Sequence, residues 1–311
     1  MTLAIVFPGQ GSQSLGMMKG FAADPLAERT FREGGELAGV DYWSLVNEGP
    51  AEALNQTVNT QPLMLIAGVA CWRMWRAKGG PVPSWLAGHS LGEYTALVAS
   101  GALAFEDAVP LVRFRAQAMQ EAVPEGTGGI AAILGLDDDK LAGVCAQAAQ
   151  GEVLEPANLN SPGQVVIAGH RAAVERGMAL AKEQGAKRAV MLPMSAPSHC
   201  SLMRPAAERL RERLDTVALR PPSVPVVHNR FVAAFDDPAR IREALVEQLD
   251  HPVRWIETVR FLASHGVTRI VECGPGKVLT GLNKRIAPGV DCVAIQDSGS
   301  LGAALAQGEA C

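Results

Sequence analysis

Ser90 stands in the sequence Gly88-His89-Ser90-Leu91-Gly92, a G-x-S-x-G pattern. That pattern sets a serine on a tight, strained turn between a strand and a helix, with its hydroxyl clear of the sheet. The context fits: Leu86 and Ala87 end a short apolar run, and Tyr94 to Ala99 reads as the helix that follows. The flanking glycines suit a backbone that must pass close to its neighbours. The amide of Leu91, at the new helix's N-terminus, can face a developing oxyanion. A second glycine-rich stretch, Gly9-Gln10-Gly11-Ser12-Gln13-Ser14, follows the first apolar run. In open α/β sheets sites collect at the carboxyl ends of strands, so this loop is expected to approach Ser90 and lend it another amide.

A nucleophilic serine needs a base. The histidines are His89, His170, His199, His228, His251 and His265. His89 lies inside the turn and is expected to point away from the side that Ser90 uses. His199 sits in a Pro/Ser loop after a strand, Met194 to Ser201, from which an imidazole can reach over the turn. His228 and His251 are its rivals. A hydrolase-like triad also wants an acid near the histidine. Asp236, Asp250 or a main-chain carbonyl would each fix the imidazole tautomer. Arg115 lies on the long helix after the turn, where a guanidinium can clamp a substrate carboxylate with two hydrogen bonds. Taken alone, a solvated helix arginine is the plainer reading. Arg113, two positions away, cannot share its face.

The elements that would position these residues alternate along the chain. Thr2 to Phe7 reads as a buried parallel strand. Leu26 to Ala38 reads as a helix, then a polar connection leads to a helix from Gln61-Pro62 to about Arg76. Phe105 to Met119 is the helix carrying Arg115. After Pro124 to Gly129 the rhythm changes to strand, helix, strand, strand, helix, strand. The strands are predicted at Ile130–Leu134, Val153–Ala157, Gln164–Ala168 and Lys187–Leu192, with Asn158 to Gly163 as a loop. Asp137 is a candidate N-cap for the first of the two helices. That order is ferredoxin-like. The predicted organisation is therefore an α/β-hydrolase-like core with a parallel sheet, residues 1–122 and 196–311, interrupted by a small subdomain at 123–195. Beyond it, helices are expected at Leu202–Leu214, Pro238–Leu249 and Trp255–His265. Strands are expected from Val226, at Thr268–Val271 and at Cys292–Ile295.

Several other chemistries fail on spacing. A dinucleotide fingerprint in the first loop would need glycine where Ser14 stands, and no acidic residue follows a second strand at the required distance. Gly274-Pro275-Gly276-Lys277 lacks both the earlier glycine and the Ser or Thr of a phosphate loop, having Val271 and Val278 there. It reads as a tight turn. The six cysteines show no C-x-x-C spacing, which argues against a zinc ribbon and for reduced thiols. A formal net charge of −4 argues against wholesale nucleic-acid binding. The first apolar run lacks a basic n-region and ends at Pro8-Gly9, too early for a signal peptide. The apolar stretch Leu63 to Trp72 ends at Arg73, too short for a membrane span. The expected location is the cytoplasm.

Six segments together resemble the malonyl-CoA:acyl-carrier-protein transacylase family of bacterial fatty-acid synthesis. They are Phe7–Gln13, Gly88–Tyr94, Met119–Pro124, Asn160–Gly169, Pro197–Cys200 and Gly274–Leu279, in order over nearly the whole chain. The resemblance implies Ser90 as the acylated nucleophile and His199 as base and then acid. It implies Arg115 as the clamp on the malonyl carboxylate, and the amides of Gln10 and Leu91 as the oxyanion hole. The main-chain carbonyl at Gln248 would orient the histidine. It implies no bound cofactor: malonyl-CoA is a substrate, and the phosphopantetheine arm belongs to the partner, acyl carrier protein. Lys187, Arg188, Lys277, Lys284 and Arg285 are candidate contacts for that acidic partner, and the enzyme is expected to be a monomer. Rival readings are an acyltransferase serving a polyketide synthase or a malonate decarboxylase, a serine thioesterase, and a non-catalytic carrier-docking module.

Overall fold

The computed structural model describes residues 2–194 and 196–306. The expected subdomain border at Ser195 and the sixth cysteine, Cys311, lie outside the described residues.

Within them the strands are, in chain order, β1 (Leu3–Phe7), β2 (Trp85–Gly88), β3 (Gly128–Leu134), β4 (Leu154–Ser161), β5 (Gln164–His170), β6 (Arg188–Met191), β7 (Val226–His228), β8 (Ala233–Ala234), β9 (Arg269–Cys273) and β10 (Asp291–Ile295). They build two sheets. One has six strands in the order β10-β9-β1-β2-β7-β8, parallel except for the β7–β8 pair. The other has four antiparallel strands in the order β4-β5-β3-β6. The expected α/β core and ferredoxin-like unit are both present.

β1 lies in the middle of the first sheet and is buried along its whole length. Its side chains alternate between two cores. Leu3, Ile5 and Phe7 pack with the helix Thr57–Ala77, while Ala4 and Val6 pack with Trp255, Val259 and Ile270. Helices on both faces explain why this strand reads as a continuous apolar run. The small sheet also has two faces. Ala131, Ile133, Val165 and Ile167 pack under its own two helices, whereas Ile130, Val166 and Ala168 face Cys200 in the main unit. A parallel bridge between Asn158 and Val253 ties the small sheet to the segment that precedes the helix Trp255–Ser264.

The structure departs from the expected elements in instructive places. The loop expected at Asn158 to Gly163 is mostly strand, and only Pro162-Gly163 turns the hairpin. Register shifts in β4 at Pro156/Asn158 and Leu159/Ser161 let it carry polar residues, because bulges re-aim side chains. The long helix begins at Thr57 and runs through Pro62. The polar connection before it contains two short helices, Tyr42–Glu48 and Ala51–Leu54. The helix Val278–Ile286 was not expected from the sequence. Its N-terminal cap is remote: the Glu272 carboxylate on β9 accepts from the amides of Leu279 (3.1 Å) and Thr280 (2.7 Å). The terminal helix Ser298–Ala306 and the short β8 were also missed.

Candidate active site

β1 and β2 are neighbours, and the loops after them meet at the carboxyl end of the sheet. Ser90 takes a left-handed backbone conformation, with φ of 52°. That is costly for a non-glycine residue and marks a site where the surroundings over-determine the turn. Its neighbours leave no room for a side chain. A Cβ on Gly88 would lie 1.9 Å from the carbonyl carbon of Gly92, and one on Gly92 would lie 2.1 Å from the carbonyl oxygen of Phe7. The first loop is pressed just as closely: a Cβ on Gly9 would meet the His89 carbonyl oxygen at 2.4 Å. This contact brings Gln10 and Leu91 to the same cleft as Ser90. Neither the Gln10 nor the Leu91 amide has an acceptor among the described residues. The Gln10 loop is pinned from outside, Gln10 Nε2 donating to Thr57 Oγ1 (3.2 Å) and Gln13 Nε2 to Asn55 Oδ1 (3.0 Å).

His199 is the histidine that stands beside the serine. Its Nε2 lies 2.7 Å from Ser90 Oγ and its Nδ1 lies 2.8 Å from the main-chain oxygen of Gln248. A carbonyl only accepts, so Nδ1 carries the proton and Nε2 is the acceptor facing the serine hydroxyl. Burial, reinforced by the nearby Arg115 guanidinium, pushes the His199 pKa down to about 3. The resting imidazole is therefore neutral, ready to take a proton. His228 and His251 are elsewhere: His228 Nδ1 is bonded to Glu93 and His251 Nδ1 to Asp250 and the Glu247 carbonyl. Asp236 is exposed, and Asp250 serves His251 and Arg204. Neither acid touches His199. His89 is turned aside onto Asn160 Oδ1 at 2.8 Å.

Arg115 is not the solvated arginine that its helix position alone suggested. It is 1% exposed. Its helix, Phe105–Glu121, packs against the helices Thr57–Ala77 and Arg204–Leu214, and this turns Arg115 inward and Arg113 outward to the Ala38 carbonyl. Arg115 Nη1 donates to Gln61 Oε1 (2.7 Å), and Nη2 donates to Gln248 Oε1 (3.0 Å) and Ser90 Oγ (3.2 Å). Its ring neighbour is Tyr94, 5.4 Å from the guanidinium carbon to the ring centre. Among the described residues no carboxylate oxygen is hydrogen-bonded to it, and its Nε has no partner. A buried guanidinium stays charged. A guanidinium whose direct partners are neutral oxygens has the charge to attract an anion.

The cleft at Ser90 measures about 480 Å³. The main unit contributes the wall with Gln10, Ser90, Leu91, Arg115 and His199; the small sheet contributes another, with Ile130, Asn160 and Val166. A shallower depression of about 390 Å³, beside Trp72, Phe105 and Arg220, contains no nucleophile.

The model of the acyl transferase domain family matches residues 4–287. The chain belongs to this family. It is 54% identical, over 98% of its length and 99% of the relative's, to a malonyl CoA-acyl carrier protein transacylase from Salmonella typhimurium. The crystal structure of an acyl-carrier-protein S-malonyltransferase from Burkholderia pseudomallei superposes with a TM-score of 0.97 at 55% identity, covering 98% of this chain and 100% of that one. A malonyl-transacylase solved with a type II polyketide-synthase acyl-carrier protein is equally similar in shape. Its TM-score is 0.97 at 51% identity, with 99% of this chain and 100% of that one covered.

Sequence reasoning missed three members of the site. Gln61 holds Arg115, Glu93 is buried behind the turn, and Asn229 Oδ1 accepts from the Ser90 amide at 2.7 Å. Asn229 follows β7, so the rule that sites gather after parallel strands was the available signal. For Gln61, inside an apolar helix, no local signal exists.

Proposed function

We propose that this protein transfers a malonyl group from malonyl-CoA to the phosphopantetheine thiol of an acyl carrier protein, supplying fatty-acid synthesis in the cytoplasm. The observation that carries the reading is Arg115: a buried cation whose hydrogen-bond partners are neutral oxygens, 3.2 Å from the candidate nucleophile. Such a group selects an acyl chain ending in a carboxylate. An acetyl group would leave the guanidinium unpaired.

The reaction proceeds through a malonyl-serine. The Ser90 hydroxyl gives its proton to His199 Nε2 as its oxygen attacks the thioester carbonyl. The amides of Gln10 and Leu91 hold the oxyanion, each contributing very roughly 3 kcal/mol to lowering the barrier. The C–S bond breaks, and the sulfur of CoA takes the proton from His199. The carrier thiol then gives its proton to His199, attacks the Ser90 ester and leaves as the malonyl thioester, restoring the serine. The kinetics are ping-pong. The Gln248 carbonyl keeps the imidazole in the required tautomer, and no cofactor is bound.

The carrier is expected to dock at the cleft mouth. Lys277 and Lys284 are exposed on or beside the helix Val278–Ile286, whose Val278, Leu279 and Leu282 line the cleft. Arg285 is engaged within the chain, donating to Ser161 Oγ (3.2 Å) and Gln164 Oε1. Lys187 and Arg188 are exposed at the start of β6 and are secondary candidates. The small sheet, residues 123–195, is read as a subdomain that completes the cleft, and the working unit as a monomer. The likeness to the complex with a polyketide-synthase carrier favours one second reading, in which the same chemistry serves polyketide assembly.

The test is intact-mass analysis after incubation with malonyl-CoA. A malonyl adduct on Ser90, discharged onto holo-carrier protein as malonyl-carrier, is the expected result. Free malonate released without carrier would instead identify a thioesterase.

A further inference from the structure

Glu93 is 0% exposed, yet it touches neither the nucleophile nor the base. Its carboxylate accepts three hydrogen bonds: from His228 Nδ1 (2.8 Å), the Asn229 amide (2.9 Å) and Gln248 Nε2 (2.9 Å). That is enough to hold a buried charge. Two of these partners lead to the site. Asn229 also accepts from the Ser90 amide and donates to the Gly88 carbonyl (both 2.7 Å), clamping the two ends of the strained turn.

The second route runs through Gln248. Its Nε2 also donates to the Ser90 carbonyl at 3.0 Å, and its Oε1 accepts from Arg115 at 3.0 Å. A carboxylate and a carbonyl only accept, and a guanidinium only donates. A flipped carboxamide would therefore set its oxygen against Glu93 and its NH2 against Arg115. Glu93, the charged one of the two acceptors on Nε2, thus reinforces which end of Gln248 meets the guanidinium. The amide also keeps the two charges apart. A carboxylate in direct contact with Arg115 would compete with an acyl carboxylate for the same donors.

We infer that Glu93 is a positioning residue for specificity: by fixing the Gln248 carboxamide it aims the Arg115 guanidinium at the acyl carboxylate. This rests on the reading of Arg115 given above. Gln248 thereby does two jobs, its main chain orienting His199 and its side chain orienting Arg115.

The experiment compares acylation by malonyl-CoA and acetyl-CoA in Glu93→Gln, Gln248→Met and the double variant, with Arg115→Ala alongside and folding checked by circular dichroism. Glu93→Gln keeps the shape but loses the acceptor-only character. Gln248→Met keeps the main-chain carbonyl for His199. Each single change is expected to raise the malonyl-CoA KM and lower the malonyl/acetyl preference about tenfold, the scale of one charge-assisted hydrogen bond. Acetyl transfer should fall by less than malonyl transfer does, and the double variant should be no worse than the poorer single, as for residues acting in one chain. Should Glu93→Gln not fold, Glu93→Asp carries the same test through its shorter reach. Parallel loss of malonyl and acetyl transfer, a lowered malonyl KM, or additive losses in the double variant would each overturn the inference. An unchanged preference in Arg115→Ala would instead overturn the reading of Arg115 itself. A change there with none in the Glu93 and Gln248 variants would sink only the role of Glu93.

Discussion

The two walls of the cleft are built on different principles. The wall from the six-stranded sheet is polar, strained and densely bonded: Ser90 and His199 both have positive φ, at 52° and 64°, and each is held by partners from distant segments. The wall from the four-stranded sheet offers Ile130 and Val166 from an ordinary antiparallel ladder, with Asn160 at its bulged edge. The first wall must fix charges and protons to within a fraction of an ångström. The second needs only to give shape and exclude water. Substitutions should therefore have steep effects on one wall and shallow effects on the other.

The steepest test is Ser90→Ala. It should lower transfer by on the order of 10⁴-fold or more, as removal of a nucleophile does elsewhere, and leave no acyl adduct in the mass spectrum. Arg115→Ala comes next. Malonyl transfer should fall on the order of 10²-fold or more while acetyl transfer gains relative to it, read as the ratio of kcat/KM values. Arg115→Lys should also be impaired, since lysine cannot form the fork. Gly92→Ala should destabilise the fold by roughly 3 kcal/mol or more, because its Cβ would meet backbone; thermal unfolding measures this.

The pH profile separates the walls in another way. The His199 pKa is lowered to about 3, so its neutral, proton-accepting form persists well below the pKa of a free imidazole. The acid limb of acylation kcat/KM should lie far below pH 6, not near 6.5. Arg115→Ala removes the second largest of the three lowering causes, and the limb should move up. The same depression costs stability in acid: the unfolded state takes up the His199 proton first, so stability falls as pH drops below about 6.5 toward the folded-state value. The smallest effect is expected on the other wall. Val166→Ala should alter KM by only about threefold, through lost apolar contact.

Much of the fold was legible. Buried parallel strands, the change to a strand-helix-strand-strand-helix-strand order after Pro124 and the N-cap at Asp137 all follow from local pattern, and Asp137 does accept from the Asp139 amide at 3.0 Å. Two of the missed elements rest on partners outside their own segment. The helix Val278–Ile286 is capped by Glu272 from a strand, and β4 holds its polar residues through its pairing with β5. The site divides along the same line. The glycines around Ser90 announce a tight turn through their spacing; the Gly88 clash lies within that turn, whereas the Gly92 clash is with Phe7 on β1. The burial of Arg115, by contrast, is set by two helices distant in sequence.

By itself, then, the sequence determined the tight serine turn, the glycine loop after the first strand and the order of elements. Each depends on the sterics of neighbouring residues. Only the tertiary structure decided that His199, rather than His228 or His251, meets Ser90, and that a carbonyl, rather than Asp236 or Asp250, meets His199. It alone buried Arg115 among neutral oxygens and set Glu93 behind Gln248. Those outcomes depend on which distant segments share a low-dielectric interior, where each donor must find an acceptor and each charge is felt by its neighbours.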